Sequence, residues 1–387
     1  MTKKRVIILG GSGSIGNGAL DIVRSLPESF TLAAVSAHTA KEKLFSIIEE
    51  FKPEAAALSG LTEPADDASL PDSTTLFMGP GAVTELIREV DADIVVNGIS
   101  GAAGLLPSWC SIISGKDLAL ANKETIVTAG PIMFQEAKKR KRAILPVDSE
   151  HSALFHLLEK RSIDEVEELI LTASGGPFWK REPRELAEIS WQEAVAHPTW
   201  EMGKKISIDS ASMANKGLEV IEAVRLFSMP PDKVKVLIHP QSIVHSLIRT
   251  VDGSLYAQMS KPDMRVPIQN ALTWPRMQPC EFGRLDLADH HLDFYRPRDG
   301  QFPLLDLAFE VAAASASYPI AYNAADEMAV DAFIHGTIGY LQIPEIVQEC
   351  LQENWTSEPD TIEEVIDSDR KARELCSSLI MNRSDRS

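Results

Sequence analysis

The chain opens on a fully apolar run, Val6-Ile7-Ile8-Leu9, which stops at Gly10. Apolar residues then recur at helical intervals, at Ile15, Leu20, Ile22, Val23 and Leu26. An unbroken apolar run fits a strand buried on both faces, and the later spacing fits an amphipathic helix. The alternation continues, with strands predicted at residues 31–35, 55–58, 93–97, 118–121 and 143–145. A glycine-rich turn at 98–104 precedes a helix over 105–114, and a further helix is predicted over 152–160. Strands alternating with helices predict an α/β fold built on a parallel sheet.

The pattern then changes. Residues 169–172 read as a strand, residues 206–210 as another, and 211–227 as a helix. Polar groups at 238–245 and 262–265 fall on expected strands and loops. Residues 274–303, rich in Pro, Arg and Asp, read as a linker. From Leu304 onward the spacing is helical, through Leu305, Leu307, Ala308, Val311 and Ala312, then 325–333, then 343–351, which predicts a small bundle. The tail after Lys371 is expected to fray. No internal repeat or low-complexity tract interrupts this order.

The length of 387 residues allows two or three domains, each with its own core. A formal charge of −18 argues against nucleic acid or an anionic membrane as partner. It leaves room for a phosphorylated small molecule, which a few local donors can hold. Cys110, Cys280, Cys350 and Cys376 are scattered without CxxC spacing, as expected for reduced thiols of a cytoplasmic protein. The apolar run after Lys3-Lys4-Arg5 is too short for a signal peptide, and no run approaches a membrane span.

Against this frame several short motifs carry candidate chemistry. Gly11 to Gly16 contains G-x-G-x-x-G between a strand and a helix, the context in which glycines admit a dinucleotide pyrophosphate. The N-terminal sheet is therefore expected to be Rossmann-like. The second strand ends in Ser36-Ala37-His38-Thr39, with no acid for a ribose 2′-hydroxyl. His38, Thr39 and Lys41 could instead meet a 2′-phosphate, favouring NADPH, or the loop could bind nothing. Asn122-Lys123-Glu124 lies at the carboxyl end of a strand, where it is either a group touching ligand or an N-cap with a salt pair. The basic run Lys138 to Arg142 reads as a solvated helix end.

Pro146-Val147-Asp148-Ser149-Glu150-His151 leads from a strand into a helix. On an extended segment Asp148 and Glu150 would face one side, and two hard oxygen donors suit Mg²⁺ or Mn²⁺. The plainer reading is a helix cap with an acid in the first turn. Ser174-Gly175-Gly176 offers a hydroxyl and exposed amides, an anion nest or a tight turn. His197 to Gly203 forms a loop in which Trp200 and Met202 suit a water-excluding lid or a pin to the core. Ser210, Asn215 and Lys216 near a helix start suit phosphate, and Glu219 one turn on suits a metal, unless Lys216 and Glu219 are a surface pair.

Taken together, these motifs resemble one family, the 1-deoxy-D-xylulose 5-phosphate reductoisomerases, in order along nearly the whole chain. His239-Pro240-Gln241-Ser242 and Asn323-Ala324-Ala325-Asp326-Glu327 add to the resemblance. It implies a metal held by Asp148, Glu150 and Glu219. It implies substrate contacts from Lys123, Ser149, Glu150, Ser174, His197, Ser210, Asn215, Lys216 and Glu219, under a flap bearing Trp200. The phosphate end would fall to Ser174, Ser210, Asn215 and Lys216. Cofactor contacts would fall on Ser12, Gly13, Ser14, Ile15, Ala37, His38, Thr39, Asn122, Glu124 and Gly203. Two departures stand out: Gly10-Gly11-Ser12-Gly13 replaces the usual Gly-Ser-Thr-Gly, and Ala37-His38-Thr39 replaces the usual Gly-Lys-Asn.

The resemblance further implies a homodimer that uses NADPH with Mg²⁺ or Mn²⁺. Residues 1–149 would form the Rossmann-like cofactor domain, 150–275 an α+β catalytic and dimerisation domain, 276–303 the linker and 304–387 the helical bundle. The implied reaction rearranges a hydroxyketone phosphate through an enediolate and then reduces the resulting aldehyde. Lys123, Glu150 and His197 are the implied catalytic residues. A metal-free sugar-phosphate dehydrogenase and a non-catalytic NADPH-binding regulator are the rival readings, and none of the three carboxylates is missing.

Overall fold

The computed structural model describes residues 3–62, 71, 73–196 and 203–384. The chain forms two compact units. The first comprises Met1–Thr125, Met133–Ser152 and Asp263–Arg284; the second comprises Ile126–Ile132, Ala153–Pro262 and Leu285–Ser387.

In the first unit β1 (Lys4–Leu9), α1 (Ser14–Ser25), β2 (Phe30–Ala37), α2 (Lys41–Phe51), β3 (Ala55–Leu58) and β4 (Thr75–Met78) follow one another. Then come α3 (Ala82–Glu89), β5 (Ile94–Asn97), α4 (Leu105–Ile113), β6 (Asp117–Leu120), α5 (Lys123–Arg140) and β7 (Ile144–Pro146). The strands form one parallel sheet in the order β4-β3-β2-β1-β5-β6-β7. Val6 to Leu9 are fully buried, as an apolar run in the middle of a two-sided sheet must be. The expected strands all form, while β4 was not foreseen, since Thr75 to Met78 alternates no apolar pattern. The basic run ends α5, with Lys141 left-handed at φ 58°, so it does sit at a helix C-terminus.

The later helix α10 (Arg265–Thr273) belongs to this unit. A β-carbon on Gly18 of α1 would stand 2.9 Å from the end of the Ile268 side chain, so a larger residue there would oblige Ile268 to shift.

The second unit contains a four-stranded mixed sheet. After α6 (Ser149–Leu158) come β8 (Val166–Ala173), α7 (Trp191–Ala194), α8 (Lys204–Ser212) and α9 (Ala214–Phe227), then β9 (Val234–Ile238), β10 (Val244–Thr250) and β11 (Leu255–Met259). The sheet order is β11-β10-β8-β9, with only β8 and β9 parallel. One face packs on α9 through Val220 and Ala223. The other side of α9 joins a helical core with α11 (Pro303–Ala314), α12 (Tyr318–Ile334), α13 (Gln342–Leu351) and α14 (Ile362–Ser384).

Two expectations are corrected here. Residues 206–210 are not a strand: they lie inside α8, and Met213 at φ 62° separates it from α9. The two isoleucines that look alternating, Ile206 and Ile208, are too few to fix a period, and Ile208, Ala211 and Ser212 supply a buried helical face. The tail after Lys371 does not fray at once, because α14 runs to Ser384 with Ala372, Cys376 and Ile380 buried. Their spacing of four is a helical stripe hidden among charged neighbours.

Candidate active site

The cofactor cradle of the first unit is made by glycines. Gly10 adopts φ +75°, and its β-carbon would lie 3.1 Å from the Gly98 carbonyl oxygen. At Gly16 a β-carbon would fall 2.2 Å from the Gly10 oxygen, so no side chain fits. The turn is tied to β2 by Gly11 N–H donating to Ser36 O at 2.7 Å. α1 then starts at Ser14 with no side-chain cap and no acid in its first turn, leaving its amides to an outside anion. The strand order reverses between β1 and β5, the place where open parallel sheets bind nucleotides. These features fit a pyrophosphate. At the end of β2, Ala37 is buried and His38 and Thr39 are exposed. His38 Nδ1 lies 3.0 Å from Ser59 Oγ.

Asn122 caps α5, its Oδ1 accepting from Thr125 N–H at 2.9 Å. Its amide nitrogen donates to the carbonyls of Ile99 and Gly101, both at 2.8 Å. Glu124 accepts from Gly101 N–H at 3.1 Å. The triplet is thus both a cap and a clasp on the glycine-rich turn. Between Asn122 and Glu124, the buried Lys123 donates to Asp148 Oδ2 at 2.5 Å.

Asp148 stands just before α6. Its other oxygen accepts from Glu150 N–H at 3.2 Å and meets His151 Nδ1 at 3.3 Å. Ser149 Oγ donates to Glu150 at 2.5 Å. Glu150 is therefore in the first helical turn and not on an extended segment. What draws Asp148 and Glu150 together is the cap, because the Asp148 side chain turns back toward the helix it starts. His151, fully buried against Asp148, was not foreseen as a site residue; only its place in the hexapeptide pointed to it.

In the second unit, Ser174 follows the end of β8, and Gly175 and Gly176 both take positive φ, at 86° and 64°. Ser174 Oγ accepts from Gly176 N–H at 3.2 Å. A β-carbon on Gly176 would lie 2.5 Å from the Ser210 carbonyl, so the turn presses directly on α8. Asn215 and Lys216 start α9, and both donate to Glu219, Asn215 at 2.6 Å and Lys216 in a short ion pair. Glu219 is 1% exposed and Lys216 3%, which rules out an ordinary surface pair. Desolvating an ion pair this deep is repaid only by close geometry and added hydrogen bonds, which Asn215 supplies to Glu219. Lys205 Nζ bridges Asp209 at 2.5 Å and Asp326 at 2.8 Å, a triad that sequence spacing does not reveal.

Gly203 caps α8 at φ −62°, with nothing within 4 Å of its β-position, so its backbone does not require glycine. His197 and Trp200 lie outside the described residues.

The donors offered by Asp148, Glu150 and Glu219 are all carboxylate oxygens, the set that Mg²⁺ and Mn²⁺ prefer. Asp148 and Glu219 are each held by a buried lysine ammonium, so a cation is already the partner these groups take.

Family models match in three stretches: 1-deoxy-D-xylulose 5-phosphate reductoisomerase over residues 6–130, its C-terminal domain over 144–227, and the DXP reductoisomerase C-terminal domain over 259–375. The 1-deoxy-D-xylulose 5-phosphate reductoisomerase of Treponema denticola is 46% identical over 384 residues, covering 99% of each chain. That of Chlorobaculum tepidum is 44% identical, covering 97% of this chain and 100% of the relative. The solved Zymomonas mobilis enzyme in complex with NADPH superimposes with a TM-score of 0.90 at 36% identity, over 98% of this chain and 99% of the other. A DOX-P reductoisomerase solved with NADPH, fosmidomycin and magnesium gives 0.90 at 35% identity, over 98% of both chains. The chain belongs to the 1-deoxy-D-xylulose 5-phosphate reductoisomerase family.

Proposed function

We propose that the protein converts 1-deoxy-D-xylulose 5-phosphate to 2-C-methyl-D-erythritol 4-phosphate, an isomerisation followed by reduction in non-mevalonate isoprenoid precursor biosynthesis. It uses NADPH and Mg²⁺ or Mn²⁺. The observation that carries this reading is Glu219, a carboxylate removed from solvent and gripped by both Asn215 and Lys216 at the start of α9.

Asp148, Glu150 and Glu219 would hold the divalent ion. When bound, the ion supplies Lewis acidity to the carbonyl and hydroxyl oxygens of the substrate. Ser12, Gly13, Ser14, Ile15, Asn122, Glu124 and Gly203 would hold NADPH, which would supply the hydride when bound. His38 and Thr39, beside Ala37, would meet its 2′-phosphate. The chain's own groups do the rest. Ser174, Ser210, Asn215 and Lys216 hold the phosphate away from the reacting carbons, so that binding energy serves orientation. Lys123 and Ser149 fix the substrate hydroxyls, and Glu150 takes or returns a hydroxyl proton at its carboxylate. Lys123 and Lys216 exchange their present carboxylate partners for substrate oxygens as the site fills. His197 touches the substrate, and Trp200 covers it to exclude water.

In this reading residues 1–149 carry the cofactor and 150–275 the chemistry and the pairing surface, with the linker 276–303 and the bundle 304–387 supporting them. The functional form is a homodimer. Its support is β11, an edge strand whose Leu255, Tyr256 and Met259 are exposed, a surface that a second copy would cover. The protein acts in the cytoplasm, a reading supported by four free cysteines. No helix among the described residues is long and apolar enough to cross a membrane. The test is NADPH oxidation on addition of 1-deoxy-D-xylulose 5-phosphate, with the product identified. The branched, reduced 4-phosphate is expected; a product of simple reduction of the unrearranged ketone would refute the assignment.

A further inference from the structure

Helix α5 contains a proline, Pro131, four residues after Val127. Proline has no N–H, so the Val127 carbonyl loses its intrahelical donor. Val127 is fully buried, as is Ile126, so water is a poor substitute. The missing donor comes from another helix. Arg225, on α9, places Nη1 at 2.6 Å from the Val127 oxygen and 3.0 Å from the Ile126 oxygen. Ile126–Ile132 and α9 lie in the same compact unit, so this is a contact inside one body. Burial lowers the guanidinium's pKa to about 10, partly opposed by Glu358, which still leaves it charged at neutral pH.

α5 begins with Lys123 and Glu124, and α9 begins with Asn215, Lys216 and Glu219. We propose that Arg225 is a positioning residue for the reaction: it replaces the helix bond that Pro131 cannot make and so holds the line of α5 that leads back to Lys123. The inference rests on the site assignment proposed above. Proline leaves a vacancy at a defined atom, and a charged side chain of α9 aimed at that atom fills it. A helix with an unmet carbonyl there would bend or shift to find a donor, and Lys123 would move with it.

The test uses full-length Arg225→Ala, Pro131→Ala and the double variant, with kcat, substrate KM, NADPH dissociation constant and Tm measured for each. Arg225→Ala is expected to lower kcat about tenfold or more and to leave NADPH binding within about twofold. Pro131→Ala should turn over like the wild type. In the double variant the backbone N–H regained at position 131 meets the Val127 carbonyl, and kcat should return to within about threefold of Pro131→Ala. Wild-type turnover in Arg225→Ala overturns the proposal, and so does a double variant as impaired as Arg225→Ala. If Arg225→Ala fails to fold, recovery of folding in the double variant supports the clamp and its absence overturns it. A wild-type protein without activity on the substrate would strike the functional assignment alone, because the Tm values of the four proteins still decide the clamp.

Discussion

Glu219 is the side chain on which most depends at the residue scale. It is buried, and Asn215 and Lys216 both donate to it, in a place where an unpaired charge would be prohibitive. Glu219→Gln keeps the shape and removes the charge. It should lower turnover by roughly a thousandfold while NADPH still binds, because the glycine cradle is untouched. Wild-type-like kinetics in that variant would remove Glu219 from the site. Lys216→Ala tests its partner. Deleting one member of a buried pair costs about 3–5 kcal/mol, so Tm should fall, and added Mn²⁺ should recover part of the loss by giving Glu219 a new cation. Substrate KM should also rise, roughly tenfold or more, if Lys216 holds the phosphate; an unchanged KM would contradict that role. Motif residues of this kind could be read from the sequence because their chemistry is local: Asn215, Lys216 and Glu219 share one helix face whatever surrounds it. The Lys205–Asp326 contact could not, since 121 residues separate the two and nothing in either neighbourhood points to the other.

At the scale of elements, the glycine turn is the part most tightly specified. Gly16→Ala puts a methyl where the Gly10 carbonyl oxygen already stands, 2.2 Å away. The turn must open, at a cost of about 1–3 kcal/mol, and NADPH affinity should fall at least tenfold, as read by fluorescence titration. An alanine variant that binds NADPH normally would show that the cradle does not seat the cofactor. Sequence pattern located this element because strand, turn and helix each carry their own signal. It failed at α8, where Ile206 and Ile208 imitate a strand, and at α14, whose apolar positions are sparse. In both, the burial that makes the helix comes from distant partners, which a short window does not contain. Asp148 and Glu150 do not share an extended strand: Asp148 caps α6 and accepts from the Glu150 N–H in its first turn.

For the whole molecule, α14 matters more than its position at the chain end suggests. Ala372, Cys376 and Ile380 enter the same core as Leu218 and Ile221 of α9. A chain ending before Ile362 should therefore lose its cooperative melt, as seen by calorimetry, since α12 and α13 would expose the apolar surface that α14 covers. An unchanged melt would show that the second unit does not need the helix. Assembly is tested separately. Tyr256→Asp on the exposed edge of β11 should shift the molar mass measured by light scattering from two copies toward one. A wild-type protein that is monomeric at every concentration would contradict the pairing proposal.

The most direct test of the central claim, that carboxylates from α6 and α9 serve a divalent ion in the reaction, is the rate of NADPH oxidation with 1-deoxy-D-xylulose 5-phosphate before and after chelation. The stripped enzyme should be inactive, bind NADPH normally and regain its rate in proportion to added Mn²⁺. Full turnover by enzyme shown to be free of divalent metal would contradict it.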